Sequence, residues 1–250
     1  MYPALAVLQA LESGDNKNAG QENASAGLSA MWVGAADGME KELIQVTGAS
    51  LAQGLPFEAI PAAGVHGVGL RALPGNILLL MRGLLASMTI LRRFHPEVLL
   101  FTGGYVAVPM AIAAHIPQPG LRRPRSLSFV PDVEPGLALK VVARISDWIA
   151  ASTEDTRRYF SAKRKVWVTG YPLRPDLARW SKAAAQEKLG LNPDLPTLLV
   201  FGGSKGARSI NQALMGIIPE LLETMQVVHI SGRLDWETVQ ANARLLPADR

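Results

Sequence analysis

Short, unbroken apolar runs alternate along the chain with stretches whose apolar residues recur at helical spacing. Apolar runs bounded by turn residues are typical of parallel strands buried on both faces, and apolar residues three and four positions apart indicate helices. The predicted strands span residues 28–33, 56–60, 98–101, 125–129, 148–151, 166–169, 198–201 and 226–231. The predicted helices span residues 3–11, 39–45, 73–94, 105–115, 137–145, 153–160, 207–217 and 236–244. This alternation predicts an α/β fold.

Two of the predicted strands end in a glycine pair that leads into a helix. Glycine lets a ligand approach the backbone, and a helix N-terminus offers unpaired N–H groups and a partial positive charge to an anion such as a diphosphate. Tight strand-to-helix packing alone is the other explanation of such a turn. Two such units predict two doubly wound domains whose strand ends face a shared cleft. The pairs are Gly103-Gly104 after residues 98–101 and Gly202-Gly203 after residues 198–201.

The turn after the second pair differs from two familiar nucleotide-binding motifs. Its sequence, Gly202-Gly203-Ser204-Lys205-Gly206, lacks the spacing of a P-loop, which needs four residues between its first glycine and Gly-Lys-Ser/Thr. A dinucleotide fingerprint needs an acidic residue about 20 positions later, but the next strand ends in Ser231-Gly232-Arg233. The spacing therefore argues against both motifs and leaves phosphate binding and tight packing as the two explanations of the turn.

The helix predicted at residues 73–94 is apolar on almost every face between residues 77 and 91, except at Arg82 and Ser87. A helix that is apolar all round is usually buried in a protein core. The alternative is a face that enters the membrane interface while Arg82, Arg92 and Arg93 meet lipid phosphates. The sequence leaves both alternatives open.

The composition narrows the function classes. With 48% hydrophobic and 18% charged residues, the chain is apolar for a globular protein, yet it has no uninterrupted apolar run long enough for a membrane span. The absence of cysteine agrees with a cytoplasmic location, and the four widely separated histidines give no metal-ligand spacing. A net charge of +4 with only 6% aromatic residues favours a phosphate ligand or an anionic membrane surface over nucleic acid.

Residues 170–175, Gly-Tyr-Pro-Leu-Arg-Pro, form a stiff, turn-rich segment. Proline restricts the backbone, and such segments often separate domains. We therefore expect two domains, residues 1–170 and residues 171–250.

Several short motifs occur in the order found in one known enzyme family. The chain resembles the MurG family, UDP-N-acetylglucosamine-dependent transferases that convert lipid I to lipid II in peptidoglycan synthesis. The resemblance implies a GT-B fold with two Rossmann-like domains, in which residues 1–170 bind the acceptor and residues 171–250 are part of the donor domain. The matching motifs are Pro3 to Val7, Trp32 to Gly34, Asp37 with Met39 and Glu40, Gly103 to Val106, Thr169 to Arg174 and Gly202 to Arg208.

The resemblance also implies roles for individual residues. Residues expected to bind the UDP-sugar donor are Arg174, Ser204, Lys205 and Gly206. Residues expected to bind a lipid-linked acceptor are Gly103, Gly104, Tyr105 and Asp132. The catalytic base stays unassigned, no metal or cofactor is expected, and the family's location implies peripheral association with the inner face of the cell membrane.

The chain departs from the family pattern in three places. The family's first strand and Gly-Gly-Thr-Gly-Gly-His loop would precede Met1, and its later donor-binding residues would follow Arg250, so we expect an incomplete chain. The family's His-Glu-Gln-Asn element aligns with residues 129–132, where only Asp132 keeps a polar group at the asparagine-like position; this indicates a divergent branch and leaves the acceptor open. A non-catalytic remnant and a UDP-sugar epimerase of the same fold are the alternative functions.

Overall fold

A computed structural model describes residues 2–12, 28–35, 41, 44, 54–62, 73–174, 177, 179–203 and 206–246, with only the backbone described at residues 73 and 74. The chain forms two compact units, Met1–Leu177 and Ala178–Arg250. All of the described strand pairs are parallel, which confirms the predicted α/β class. The division lies slightly later in the chain than the boundary predicted at residue 170, and the roles assigned to the two parts stay predictions.

The first unit contains a two-stranded and a four-stranded parallel sheet. Strand β1 pairs with β2, and the larger sheet has the order β3-β4-β5-β6. Consecutive parallel strands need a crossover, and each of the three connections in the larger sheet contains a helical segment. The strands are β1 (Trp32–Ala35), β2 (Phe57–Ile60), β3 (Val98–Phe101), β4 (Arg125–Val130), β5 (Trp148–Ala151) and β6 (Val166–Val168).

The helices of the first unit pack around these sheets. The core combines buried apolar residues of α2 and α3 with the end of β3. Leu91 of α2, Ala111 of α3 and Phe101 of β3 all belong to it. A second cluster joins α4 to β4, β5 and β6. The helices are α1 (Tyr2–Glu12), α2 (Leu73–Phe94), α3 (Ala107–Ala113) and α4 (Leu137–Ile145), and a 3₁₀ helix spans Glu154–Tyr159.

The second unit contains a parallel pair of strands and three described helices. The strands are β7 (Thr197–Phe201) and β8 (Gln226–Ile230), and the helices are α5 (Lys182–Leu189), α6 (Arg208–Leu221) and α7 (Trp236–Ala243). Helix α5 was not predicted from the sequence. Its ends carry recognisable signals, because the Ser181 side chain accepts a hydrogen bond from the Ala184 N–H and Gly190 ends the helix in a left-handed conformation.

Most predicted elements agree with the structure to within about two residues at each end. The strand predicted at residues 28–33 is wrong in its bounds, because regular pairing begins at Trp32 and continues to Ala35. The predicted 153–160 helix is a 3₁₀ helix. The helix predicted at residues 39–45 lies mostly outside the described residues.

Helix α2 is not buried on all sides, which corrects the first of the two alternatives for residues 77–91. Within the described residues, a face that includes Leu78, Met81 and Leu85 is 52–62% exposed. The opposite face is buried, with Ser87 and Leu91 both fully covered. One face of α2 is therefore buried and the other is exposed, although both faces are apolar in sequence.

The expectation that strand β7 is buried on both faces is also wrong. Leu199 and Phe201 are 52% and 62% exposed, and Ile230, which pairs with Phe201, is 55% exposed. Side chains alternate along a strand, so these residues share one face, while His229 points to the other face and contacts α6. This face of the strand pair is therefore largely exposed in the part of the chain that the structure describes, with Val228 partly buried on it.

Candidate functional site

The four predicted acceptor residues line one cavity of about 300 Å³ in the first unit. Gly103, Gly104 and Tyr105 follow strand β3, and Asp132 follows the neighbouring strand β4. Carboxyl ends of neighbouring parallel strands meet at the same sheet edge, which is where ligands bind in folds of this type. The structure therefore brings these residues together, while their role in binding an acceptor stays a prediction.

The glycine pair at this cavity is needed for its backbone conformation. Gly103 and Gly104 have φ angles of 122° and 84°, in the left-handed region that disfavours other residues. A Cβ atom added at either position would meet no atom within 4 Å. Strain, and not lack of space, therefore explains glycine here, and the turn leaves its backbone open to the cavity.

The first turn of helix α4, from Gly136 to Leu139, forms another part of the cavity wall. Gly136 is the N-cap residue and makes no side-chain cap hydrogen bond. The N–H groups of a first helical turn lack partners within the helix and carry partial positive charge. This wall is therefore suited to an anionic ligand.

Two hydroxyl groups anchor the turn that carries Asp132. The Ser152 Oγ donates to the Pro131 carbonyl at 2.6 Å, and the Thr156 Oγ1 donates to the Asp132 carbonyl at 3.3 Å. The Asp132 side chain itself is exposed at the cavity rim. The backbone of this turn is therefore anchored, while the carboxylate of Asp132 stays exposed to solvent.

Arg174, a predicted donor residue, lies in the first unit. Its guanidinium lies over the ring of Tyr2 at 5.2 Å from the ring centroid, a cation–π geometry. Nearby in sequence, the Tyr171 ring meets the buried Phe129 ring edge-on, with the centroids 6.1 Å apart. Aromatic contacts thus hold the segment before residue 175 on the first unit.

The predicted donor turn follows strand β7 in the second unit, and Ser204 and Lys205 lie outside the described residues. Gly203 and Gly206 have φ angles of 86° and 84°. A Cβ atom on Gly206 would lie only 2.1 Å from the Ser231 carbonyl oxygen, so the turn and the end of β8 are in very close contact. Only glycine fits at position 206.

The predicted contact of the Gly206 N–H with a diphosphate needs modification. This N–H donates to the Gly203 carbonyl at 3.0 Å, so it already has a partner within the turn. Helix α6 begins directly afterwards at Arg208, and its N-cap residue, Ala207, makes no side-chain cap hydrogen bond. The first N–H groups of α6 are therefore better placed than Gly206 to receive an anion.

A buried polar cluster behind this turn was missed in the sequence. Asn211 is 1% exposed, and its side chain contacts Ser231, His229 and Asp235. Burial lowers the pKa of His229. The pKa of Asp235 is lowered, first by the hydrogen bond from Asn211 and then by that from Arg208. A polar residue at a helical position otherwise occupied by apolar residues was the available signal.

Within the described ranges, no group of three or more histidine, aspartate or glutamate side chains is arranged to hold a metal ion. No helix in the described part of the chain is both long enough and apolar enough to cross a bilayer.

The chain matches two domain profiles of one enzyme family. The profile for the N-terminal domain of glycosyltransferase family 28 matches residues 1–122, and that for the C-terminal domain of the same family matches residues 197–247. Together they cover more than half of the chain. The chain belongs to glycosyltransferase family 28. The glycine turn before α6 lies within the C-terminal match, and the turn before α3 lies within the N-terminal match.

Curated relatives of the chain confirm the resemblance to the MurG family. A protein of Roseiflexus sp. (strain RS-1) is 36% identical over 99% of this chain and 60% of its own length. One of Desulforudis audaxviator is 33% identical over 95% of this chain and 58% of its own length. Both are named UDP-N-acetylglucosamine--N-acetylmuramyl-(pentapeptide) pyrophosphoryl-undecaprenol N-acetylglucosamine transferase. The chain thus spans about 60% of these relatives.

Solved structures support the predicted GT-B fold. MurG of Acinetobacter baumannii has a TM-score of 0.60 at 24% identity and covers 99% of this chain and 61% of its own. A Listeria monocytogenes protein assigned as a UDP-N-acetylglucosamine 2-epimerase has a TM-score of 0.59 at 12% identity, over 97% of this chain and 63% of its own. At these identities the likeness shows the fold alone.

Proposed function

We propose that this family 28 protein acts as an inverting glycosyltransferase that moves N-acetylglucosamine, or a related sugar, from a UDP donor to a lipid-linked acceptor. The observation that carries the proposal is the glycine turn between β7 and α6, which lies within the match to the family's C-terminal domain. The names of the curated relatives supply the substrate class.

On the donor side, the proposal assigns the diphosphate to the start of α6 together with Ser204 and Lys205. Stabilising the charge that develops on the departing diphosphate lowers the barrier to transfer. Arg174 adds a guanidinium that pairs well with phosphate oxygens. Gly206 contributes its left-handed conformation and its close approach to Ser231, because its N–H is already engaged.

On the acceptor side, the proposal assigns the lipid-linked diphosphate to the cavity between Gly103, Gly104 and the first turn of α4. Open glycine backbone and an uncapped helix N-terminus both favour an anion there. Tyr105, which is 46% exposed at the rim, offers a ring and a hydroxyl to the sugar. Asp132 is a candidate to accept the proton of the attacking hydroxyl group.

Calorimetric titration with UDP-N-acetylglucosamine tests the donor site. Replacing Arg174→Ala together with Ser204→Ala removes two charge-assisted contacts and should weaken binding by at least about tenfold. The matched control, Arg244→Ala with Ser161→Ala, changes the same residue types at exposed positions and should bind like the wild type. Equal affinity in both double variants would reject the proposed donor residues.

A transfer assay separates an enzyme from a non-catalytic binding module. The 250-residue chain is incubated with radiolabelled UDP-N-acetylglucosamine and a lipid-diphosphate-linked muramyl acceptor, and the labelled lipid is extracted. Labelled product supports the enzyme, whereas donor binding without product supports the binding module. Incubation with the donor alone would yield an epimerised sugar if the protein were an epimerase.

We also propose that α2 lies against an anionic membrane surface. Its exposed stripe combines Leu78, Met81 and Leu85 with Arg82, and α2 carries no acidic residue. Apolar side chains enter the interface while the basic residues, including Arg92 at the end of the helix, attract lipid phosphates.

Vesicle co-sedimentation tests this surface. Wild-type protein should sediment with phosphatidylglycerol vesicles and much less with phosphatidylcholine vesicles, and Leu85→Glu should reduce the sedimented fraction. Val141→Glu, which places the same charge at an exposed apolar position on α4, is the control. Equal loss in both variants would show that added charge alone matters and would contradict the assignment to α2.

A further inference from the structure

A buried amide behind the donor turn has hydrogen-bond partners for both of its N–H groups and for its oxygen. The Asn211 Nδ2 donates to the Ser231 carbonyl and to Asp235 Oδ2, both at 2.9 Å. The His229 Nε2 lies 2.9 Å from the Asn211 Oδ1. Asn211 is 1% exposed and has three hydrogen-bond partners, so each polar atom of its side chain is paired within the second unit.

The chemistry of the partners determines how the amide is oriented. A carbonyl oxygen and a carboxylate can only accept hydrogen bonds, so the Asn211 nitrogen must face both of them. The Asn211 oxygen therefore faces His229, whose Nε2 must carry the hydrogen and donate. Substituting aspartate for Asn211 would turn an oxygen towards two acceptors, which the site cannot accommodate without rearrangement.

One atom connects this network to the glycine turn. The Ser231 carbonyl that accepts from Asn211 is the same oxygen against which Gly206 packs, 2.1 Å from the position of a hypothetical Cβ. Asp235 in turn accepts from Nε of Arg208, the first residue of α6, at 3.0 Å. The network thus joins the end of β8, the start of α6 and the last glycine of the turn.

We propose that Asn211 is a positioning residue for the donor turn. By fixing the Ser231 carbonyl, it determines where Gly206 can lie and hence how the turn and the first N–H groups of α6 meet a diphosphate. The link to diphosphate rests on the proposed function, whereas control of the turn geometry by Asn211 does not. The experiment below reads the two separately.

The test combines nuclear magnetic resonance of ¹⁵N-glycine-labelled protein with titration of UDP. In Asn211→Asp, the amide resonances of Gly203 and Gly206 should shift, and UDP should bind about tenfold more weakly or worse.

Two controls separate positioning from general destabilisation. Leu214→Ala empties a buried position one turn along the same helix, and Asn242→Asp makes the same chemical change at an exposed position on α7. Neither control should move these two resonances or the UDP affinity.

A gentler pair of variants covers the case in which Asn211→Asp does not fold. His229→Leu removes the donor to the Asn211 oxygen, and His229→Gln restores an N–H at the end of a side chain. The glycine shifts and the weaker UDP binding should appear in the leucine variant and be reduced in the glutamine variant. Equal behaviour of this pair would overturn the proposal.

The remaining outcomes are distinct. If the glycine resonances shift by the same amount in Asn211→Asp and in Leu214→Ala, the proposal is overturned, whatever the measured UDP affinity. Unchanged UDP affinity despite shifted glycine resonances would overturn the positioning of the diphosphate. If wild-type protein binds no UDP while the shifts follow Asn211, control of the turn stands and the proposed donor function fails.

Discussion

The carboxylate of Asp147 is expected to be a main source of stability in the first unit, and replacing it by asparagine tests this. Its Oδ2 accepts from the Ser126 N–H at 2.8 Å and from the Ser126 Oγ at 2.9 Å, and its Oδ1 accepts from Arg123 Nη2 at 3.1 Å. Ser126 is 1% exposed, so water cannot replace these bonds. The carboxylate joins the start of β4 to the start of β5.

The expected magnitude follows from these contacts. An asparagine keeps one acceptor oxygen, so its amide nitrogen must face either the two Ser126 donors or the Arg123 guanidinium. Hydrogen bonds to a charged group contribute about 1.5–3 kcal/mol and neutral ones about 1 kcal/mol. We expect Asp147→Asn to cost about 2 kcal/mol, which lowers the melting temperature by about 4–8 °C in a domain of this size.

The pH dependence gives an independent check. Burial pushes the pKa of Asp147 upwards, but the hydrogen bonds from Ser126 and the charge of Arg123 outweigh it and leave the pKa below its ordinary value. The contribution of the Asp147 carboxylate to the free energy of unfolding is therefore fully present above the ordinary aspartate pKa of about 4. It is lost as the pH falls through the lowered pKa of the folded state. The gap between wild type and variant should close in that acidic window.

Thermal unfolding followed by circular dichroism measures the effect, with Asp155→Asn as a control at an exposed position. The control should melt within about 1 °C of the wild type, since exposed substitutions usually change stability little. A melting temperature of Asp147→Asn equal to that of the control, or a gap that persists unchanged at low pH, would refute the reasoning.

Three further predictions concern stability and are checked by urea unfolding. Gly83→Ala should cost about 1–3 kcal/mol, because its Cβ would lie 2.2 Å from the Pro61 carbonyl, while Gly75→Ala on the same helix, with no atom within 4 Å, should not destabilise. Ser181→Ala should cost about 1 kcal/mol by removing the cap of α5, and no change would contradict a capping role. Burial lowers the pKa of His229, so the free energy of unfolding should be highest above about pH 6.5, the ordinary histidine pKa. It should fall as the pH drops through the lowered pKa of the folded state. A flat profile would contradict this burial effect.

Local patterns predicted the elements well where turn residues bound an apolar run. The helix at residues 73–94 and the strands at residues 98–101 and 148–151 agree with the structure end to end. Helix α5 was missed because it buries no residue and so has no apolar periodicity to detect. Its end signals, Ser181 and Gly190, are local and could have found it.

Burial could not be predicted in the same way, because it depends on what packs against each face. Residues 77–91 are apolar all round, yet α2 presents only one face to the core. Strand β7 has the composition of a fully buried strand, yet Leu199 and Phe201, on the face that points away from α6, are more than half exposed in the described part of the second unit. A sequence pattern states which faces can be buried, and tertiary packing decides which of them are.

The two predicted sites differ for a topological reason. Gly103 and Asp132 follow neighbouring strands of one parallel sheet, so strand order alone brings them to one edge, and they line one cavity. Arg174 and Gly206 belong to separate units, so no rule of sheet topology relates them and their joint role stays a proposal.

Residues that contact a binding turn from within the protein are harder to predict from the sequence than the residues of the turn itself. Gly206 can be predicted from the sequence because it belongs to a short motif, residues 202–206, which is rich in glycine and lies between a strand and a helix. Asn211, His229 and Asp235 are spread over α6, β8 and the loop before α7. Of the three, only Asn211 carries a local signal, because it is a polar residue at a helical position otherwise occupied by apolar residues. Only their convergence on one another and on the Ser231 carbonyl shows what they support. A resemblance to a family therefore predicts which residues meet a ligand, whereas the contacts behind our proposal that Asn211 positions the turn become visible only in the geometry of the fold.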